Sequence, residues 1–207
     1  MNHPENEIQH RFLAKANVYR LLSVCYYEPE QAFLEEDIFA QMESALTALG
    51  GQRQGEAIML GTCFRDAGLD ALMLDYTRLF LGPFGILAKP YGSIYLEGEN
   101  IVMGETTMAA MALYGEGRFQ VNEDFREVPD HMAVELEFLY LLNFSISEST
   151  QESERARLGD LKKAFLTAHL GQWVVPFAKN MRDGAHTDFY KNLADATQRT
   201  VLDDMQE

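Results

Sequence analysis

Apolar residues recur every three or four positions along almost the whole chain, and alternating runs of the strand type are scarce. A chain patterned this way buries its stripes by packing helix on helix. Ile8, Phe12, Tyr19, Leu22 and Tyr26 share one face, which Glu28-Pro29-Glu30 interrupts. Ile38, Met42, Ala45, Leu46 and Leu49 mark a second helix, ended by Gly50-Gly51. Ile58, Thr62 and Cys63 mark a short one that stops near Gly68, and Leu69, Leu72, Tyr76, Leu79 and Phe80 form another, closed by Gly82-Pro83. Residues 132–142 are apolar on more than one face, which predicts a central helix, with Pro129 opening it and Asp130 in its first turn. An amphipathic helix over 152–167, a segment with Trp173, Val174 and Phe177 that Pro176 starts or kinks, and a last helix over 187–202 complete the pattern. With helices of ~10–14 residues, the expected architecture is a single all-α domain of about eight to ten helices. The polar, glycine-containing stretch 115–130 is its candidate hinge or seam.

The chain has 207 residues, 47% of them hydrophobic, enough for a core that needs neither disulfides nor metal. Its net charge of −15 argues against nucleic acid as a partner, since no basic footprint exists to release counterions from phosphate. The same charge disfavours anionic lipid and favours a basic partner. Cys25 and Cys63 are far apart, form no CxxC pair, and read as buried free thiols. No apolar run reaches the roughly 18–20 residues that span a bilayer, and the polar, acidic start is unlike a secretory signal. A cytoplasmic, reduced protein without stable membrane insertion is expected.

Residues 82–104 break the pattern. Seven glycines and prolines punctuate them, yet they carry Phe84, Ile86, Leu87, Tyr91, Ile94, Tyr95, Leu96 and Ile101. A long loop this apolar is packed down or used for binding. From Glu97 to Glu137 ten acids face two arginines, over half of the net charge in about a fifth of the chain. Met103, Met108, Met111 and Met132 fall in the same region. Adaptable methionines beside clustered acids suit a peptide with a basic end and an apolar stretch. Two other classes compete. Asp130, with His131 and Glu135 four apart on one helix face, offers ligands for a metal-dependent hydrolase, although neither HExxH nor a second ligand pair is present. A non-catalytic helical subunit is the third. No Walker loop and no GxSxG motif occur.

Pro90-Tyr91-Gly92-Ser93-Ile94-Tyr95 followed by Glu97-Gly98 resembles the aromatic-x-Ser-x-Tyr segment of the TorD/DmsD/NarJ family. Glu127-Val128-Pro129-Asp130-His131, then Glu135-Leu136, resembles that family's E-x-P-D-H-x-x-x-E-L signature. Leu79-Phe80 with Gly82-Pro83, His169-Leu170, Trp173, Pro176-Phe177 and Phe189-Tyr190 match it further, so the likeness runs from about 76 to 197. It points to the TorD-like branch. The resemblance implies an all-helical cytoplasmic chaperone rather than an enzyme. Such a protein binds an apo molybdopterin oxidoreductase and its twin-arginine signal peptide, assists cofactor insertion, and delays export through the Tat pathway. It also implies domain-swapped dimers and, in some members, weak guanine-nucleotide binding, for which the sequence holds no separate motif; no other cofactor is implied.

On this reading Asp130, with Glu135 or Glu97, meets the guanidinium groups, because arginine pairs with carboxylates through two parallel hydrogen bonds. Tyr91, Tyr95, Leu96 and Met103 line the apolar part, Ser93 lies within the segment, and His131 orients Asp130 or reports pH. Each has a plainer reading: Tyr91 and Tyr95 fasten the loop, Ser93 caps a turn, Asp130 caps its helix, and Glu135 pairs with His131.

Overall fold

The computed structural model describes residues 4–50, 52–82, 85–98, 101–119 and 128–207. Pro83, Phe84 and Glu127, with Glu99, Glu123, Asp124 and Arg126 from the acidic stretch counted above, lie outside the described residues, as does half of the expected hinge. The rest is helical: α1 (Pro4–Val24), α2 (Ala32–Glu35), α3 (Ile38–Ala48), α4 (Gln54–Ala67), α5 (Leu69–Tyr76), α6 (Gly92–Leu96), α7 (Glu105–Glu116), α8 (Met132–Glu148), α9 (Glu152–Phe165), α10 (Gly171–Gly184) and α11 (Asp188–Met205). The expected all-α architecture holds.

Helix α8 is the axis. It buries residues on every side, from Met132 and Val134 to Phe138, Leu142 and Ile146, as a helix apolar all round must. Helix α1 lies along it in the most extensive pairing of the fold, and α10 against α11 and α3 against α4 wrap the remainder. Aromatic rings fill the joints: Phe138 meets Tyr114 at 4.7 Å and Phe165 at 5.0 Å between centroids, locking α7 and α9 onto α8.

Three boundaries depart from the sequence expectation. Helix α8 starts at Met132, not at Pro129, and His131 is its N-cap, its Nδ1 accepting the Ala133 N–H at 3.1 Å. Pro129 and Asp130 stay outside because their backbone is already paired: the Gly92 N–H donates to the Asp130 carbonyl at 2.9 Å and the Met132 N–H to the Pro90 carbonyl at 2.8 Å. Tyr91 and His131 thereby form an isolated antiparallel bridge. Second, α9 and α10 are one unbroken rod joined by a π-helical turn, Leu166–Leu170, and Pro176 lies inside α10 instead of starting it. A π turn inserts one residue into the helical register, so residues beyond it face a different side than period 3.6 predicts. Third, the 82–104 segment contains the short helix α6. Cys25 is buried as expected, whereas Cys63 is only partly so. No helix among the described residues is long and apolar enough to cross a membrane.

Candidate functional site

The segment from Pro90 to Gly98 crosses the N-terminal end of α8 as a strap, held by side-chain hydrogen bonds and ring contacts besides its two backbone bonds to residues 130 and 132. The Ser93 N–H donates to Asp130 Oδ2 at 2.7 Å, and the Thr107 hydroxyl of α7 donates to the same oxygen at 3.0 Å. The Glu97 N–H closes α6 on the Ser93 carbonyl at 2.8 Å. Tyr95 stacks on Trp173 of α10 with ring centroids 5.6 Å apart, and Tyr91 sets its ring edge against His131 at 5.4 Å. Gly92 sits where a side chain would be crowded: a Cβ there would lie 3.0 Å from Trp173 Nε1 and 3.2 Å from both Glu135 Oε1 and His169 Nε2.

Beneath Gly92 is a buried polar cluster. Glu135 Oε1 bonds His169 Nε2 at 2.7 Å, and the indole N–H of Trp173 donates to Glu135 Oε2 at 3.2 Å. The π turn is what brings His169 inward to reach α8. Burial pushes the Glu135 carboxyl up and would pull His169 down, but the carboxylate beside the ring outweighs burial and raises the imidazole. Glu135 and His169 thus read as an ion pair with its charge sealed inside. Burial likewise pushes the Tyr114 hydroxyl well up, with Glu135 and Asp130 adding to it; that hydroxyl donates to the Pro129 carbonyl at 2.9 Å.

The expected ligand-facing acids face inward. Asp130 and Glu135 are 0% exposed, so as folded neither presents a carboxylate to a guanidinium in solvent. Glu135 takes His169 as its partner instead of His131. Glu97 caps α7 across the loop, accepting from the Glu105 N–H at 3.1 Å, the Thr106 N–H at 2.6 Å and the Thr106 hydroxyl. The Thr106 hydroxyl, with the Thr106 and Glu105 N–H groups, holds the Glu97 carboxyl below its ordinary range. Ser93 is buried, and its hydroxyl and Asp130 Oδ1 are among the buried polar atoms that find no partner. Tyr95 and Leu96 pack against the core. Met103, 55% exposed, is the expected apolar contact that does face outward, beside Ile101 and Val102 and followed on α7 by Met108 and Met111.

Asp130, His131 and Glu135 do not converge. Their side chains go to Ser93 and Thr107, to the Ala133 N–H, and to His169 and Trp173 respectively. No group of three potential metal ligands occurs among the described residues. The hydrolase alternative therefore has no supporting geometry. Thr107, His169 and Trp173 belong to the site although the spacing did not single them out. The family likeness at His169 and Trp173 was the available signal; helical periodicity hid them behind the π turn.

His131 carries a pH prediction. Burial drops its imidazole to about 4, against the opposing pull of Asp130, so the ring is neutral when folded. The unfolded chain takes up the proton first, and stability therefore falls as pH drops below the ordinary histidine value near 6.5. Urea unfolding is expected to show a loss of about 2 kcal/mol from this group between about pH 7 and pH 5. In His131→Asn, which keeps an N-cap acceptor, that part of the loss disappears; equal losses in both proteins would refute the assignment.

Taken as a whole, the fold and site define an all-helical protein whose buried polar cluster holds a segment in place. The nitrate reductase delta subunit family model matches residues 38–179, and the chain belongs to that family. It is 27% identical to the chaperone protein TorD of Shewanella loihica, over 96% of this chain and 94% of that one. It is also 27% identical to the Tat proofreading chaperone DmsD of Salmonella typhi, over 85% and 81%. A crystal structure from Archaeoglobus fulgidus, described as that of a putative redox enzyme maturation protein, superposes with a TM-score of 0.55 at 22% identity, covering 89% and 91%. The fold is shared, the curated relatives are chaperones, and the chain is a chaperone of the redox-enzyme maturation class, not an enzyme.

Proposed function

We propose that the chain works in the cytoplasm, where it binds the twin-arginine signal peptide and the apo form of a molybdopterin oxidoreductase and holds that enzyme back from Tat export until its cofactor is in place. The observation that carries this is the exposed apolar ridge of Ile101, Val102 and Met103, continued by Met108 and Met111 on α7, directly after the strap. Methionine-rich surfaces re-pack around varied apolar segments, which suits the apolar part of a signal peptide. The exposed acids Glu105 and Glu116 flank the ridge at the two ends of α7 and supply charge for the arginine pair. A relative that is a Tat proofreading chaperone favours the same reading.

Titration with a twin-arginine peptide is expected to give micromolar or tighter binding that weakens with salt and on changing both arginines to lysine. Replacing Met108 and Met111 together by glutamate should weaken it about tenfold or more, since charge then enters the apolar contact. No binding to any such peptide, and no capture of a co-expressed molybdoenzyme precursor, would end this proposal.

A further inference from the structure

Three features of the strap stand together. It closes over two carboxyl groups, Asp130 and Glu135, both fully buried. Asp130 leaves Oδ1 without a hydrogen bond, and Ser93 leaves its hydroxyl so. The strap meets the Glu135–His169–Trp173 cluster through Gly92, where a Cβ would crowd all three side chains, and through the Tyr95 ring stacked on Trp173. The strap is thus the cover of a buried polar site that lacks one hydrogen-bond donor.

We propose that residues 90–98 are a proton-operated strap: His169, clipped to Glu135 and Trp173, keeps it shut, and loss of the His169 proton releases it. The charges around the clip carry the argument. From the start of α8 the facing groups are Asp130, His131 and Glu135, from α7 the Tyr114 hydroxyl, and from the rod itself the rings of Phe165 and Trp173. On the α11 side the thioether of Met205 lies against the adjoining Gly171. Among these groups His169 is the cation, because His131 is neutral when folded. While His169 is protonated, Glu135 has its counter-charge. Once it is neutral, two buried carboxyl groups stand without a cation, and buried charge without a partner is costly enough to force a rearrangement. The strap is the part that covers the pair, so lifting it is the rearrangement that lets water reach Glu135; two backbone bonds to residues 130 and 132, the Ser93–Asp130 bond, the Glu97 cap of α7 and the Tyr91 and Tyr95 ring contacts anchor it. Lifting it uncovers Asp130 and Glu135 to a cationic group of a client; this consequence, unlike the clip, rests on the signal-peptide reading. Glu135, His169 and Trp173 are then positioning residues acting through Gly92 and Tyr95.

Trp173 is the single tryptophan of the chain, so its fluorescence reports the clip alone. Raising pH from about 6 to 9 is expected to change its emission in one step above the ordinary histidine value, with unchanged far-ultraviolet dichroism. Across that step the Gly92 and Ser93 amides should exchange at least about tenfold faster after correction for base catalysis. The step should vanish in His169→Gln and persist in His131→Gln. Absence of a step, a step that survives in His169→Gln, or strap amides that stay as protected as those of α8 would overturn the clip. Should His169→Gln fail to fold, the imidazole resonances of the wild-type protein decide: emission that follows His169 supports the clip, and emission that moves without it overturns it. Twin-arginine peptide affinity, measured on both sides of the step, should be about tenfold tighter above it. Equal affinities overturn the coupling and leave the peptide reading intact; no binding at either pH overturns that reading and leaves the clip standing on its spectroscopic step.

Discussion

Asp204→Ala is expected to cost about 3–5 kcal/mol of folding free energy, a large share of what a domain of this size has. Asp204 is the hub of a buried charge network joining α1, α9 and α11. Its Oδ1 takes the ammonium of Lys15 and, at 3.0 Å, that of Lys162, while Oδ2 accepts the Tyr19 hydroxyl at 3.0 Å. Burial raises the Asp204 carboxyl, but the two lysines outweigh it and hold it below its usual range; burial pulls Lys162 down. Without the carboxylate, two ammonium groups are left inside, and Glu207, 2.6 Å from Lys15, lies too near the surface to replace it. The triple change Lys15→Met, Lys162→Met and Asp204→Leu removes the whole network and should restore stability to near wild type. Urea unfolding of both proteins checks the pair of outcomes. A loss below about 1 kcal/mol for Asp204→Ala would mean that water already reaches the lysines.

Trp173→Ala should cost a similar amount, about 3–5 kcal/mol, because a wholly buried indole is removed from between Tyr95 and Phe177. Trp173→Phe keeps most of the ring and loses the N–H bond to Glu135, so about 1–2 kcal/mol is expected, from one unsatisfied oxygen. Circular dichroism with urea gives both values, and hydrogen exchange at Gly92 and Ser93 shows whether the strap loosens. Alanine must release the strap far more than phenylalanine does. If the two variants behave alike, the hydrogen bond and not the stacking holds it, and Tyr95 has been given too large a part.

The elements best read from sequence are those with strong apolar periodicity. The stripes of α1, α3 and α5, and the all-round apolar character of α8, emerge at close to their structural positions. The aromatic segment at 91–96 and the Asp130-His131 pair were recognisable as parts of one site because two motifs of one family carry them. Their orientation was not recognisable. Sequence spacing places Asp130 at the start of a helix, where carboxylates commonly cap; here the backbone of 129–132 pairs with the strap, and the carboxyl group turns inward to Ser93 and Thr107. Glu97 offered a free acid next to a glycine, but a second helix 8 residues on took it as a cap. His169 was one of several scattered histidines until the π turn rotated it towards Glu135.

What the sequence alone determined is the all-helical class, the family, and the placing of an acidic, methionine-bearing region between Glu97 and Glu137. These are sums or periodicities, and both survive without knowing which segment lies beside which. Tertiary structure alone decided that Asp130 and Glu135 are sealed beneath the strap, that His169 and Trp173 complete the cluster, and that Ile101 to Met103 with Met108 and Met111 stay exposed. Burial and ion pairing depend on distances between residues tens of positions apart, and no local pattern in a chain encodes those distances.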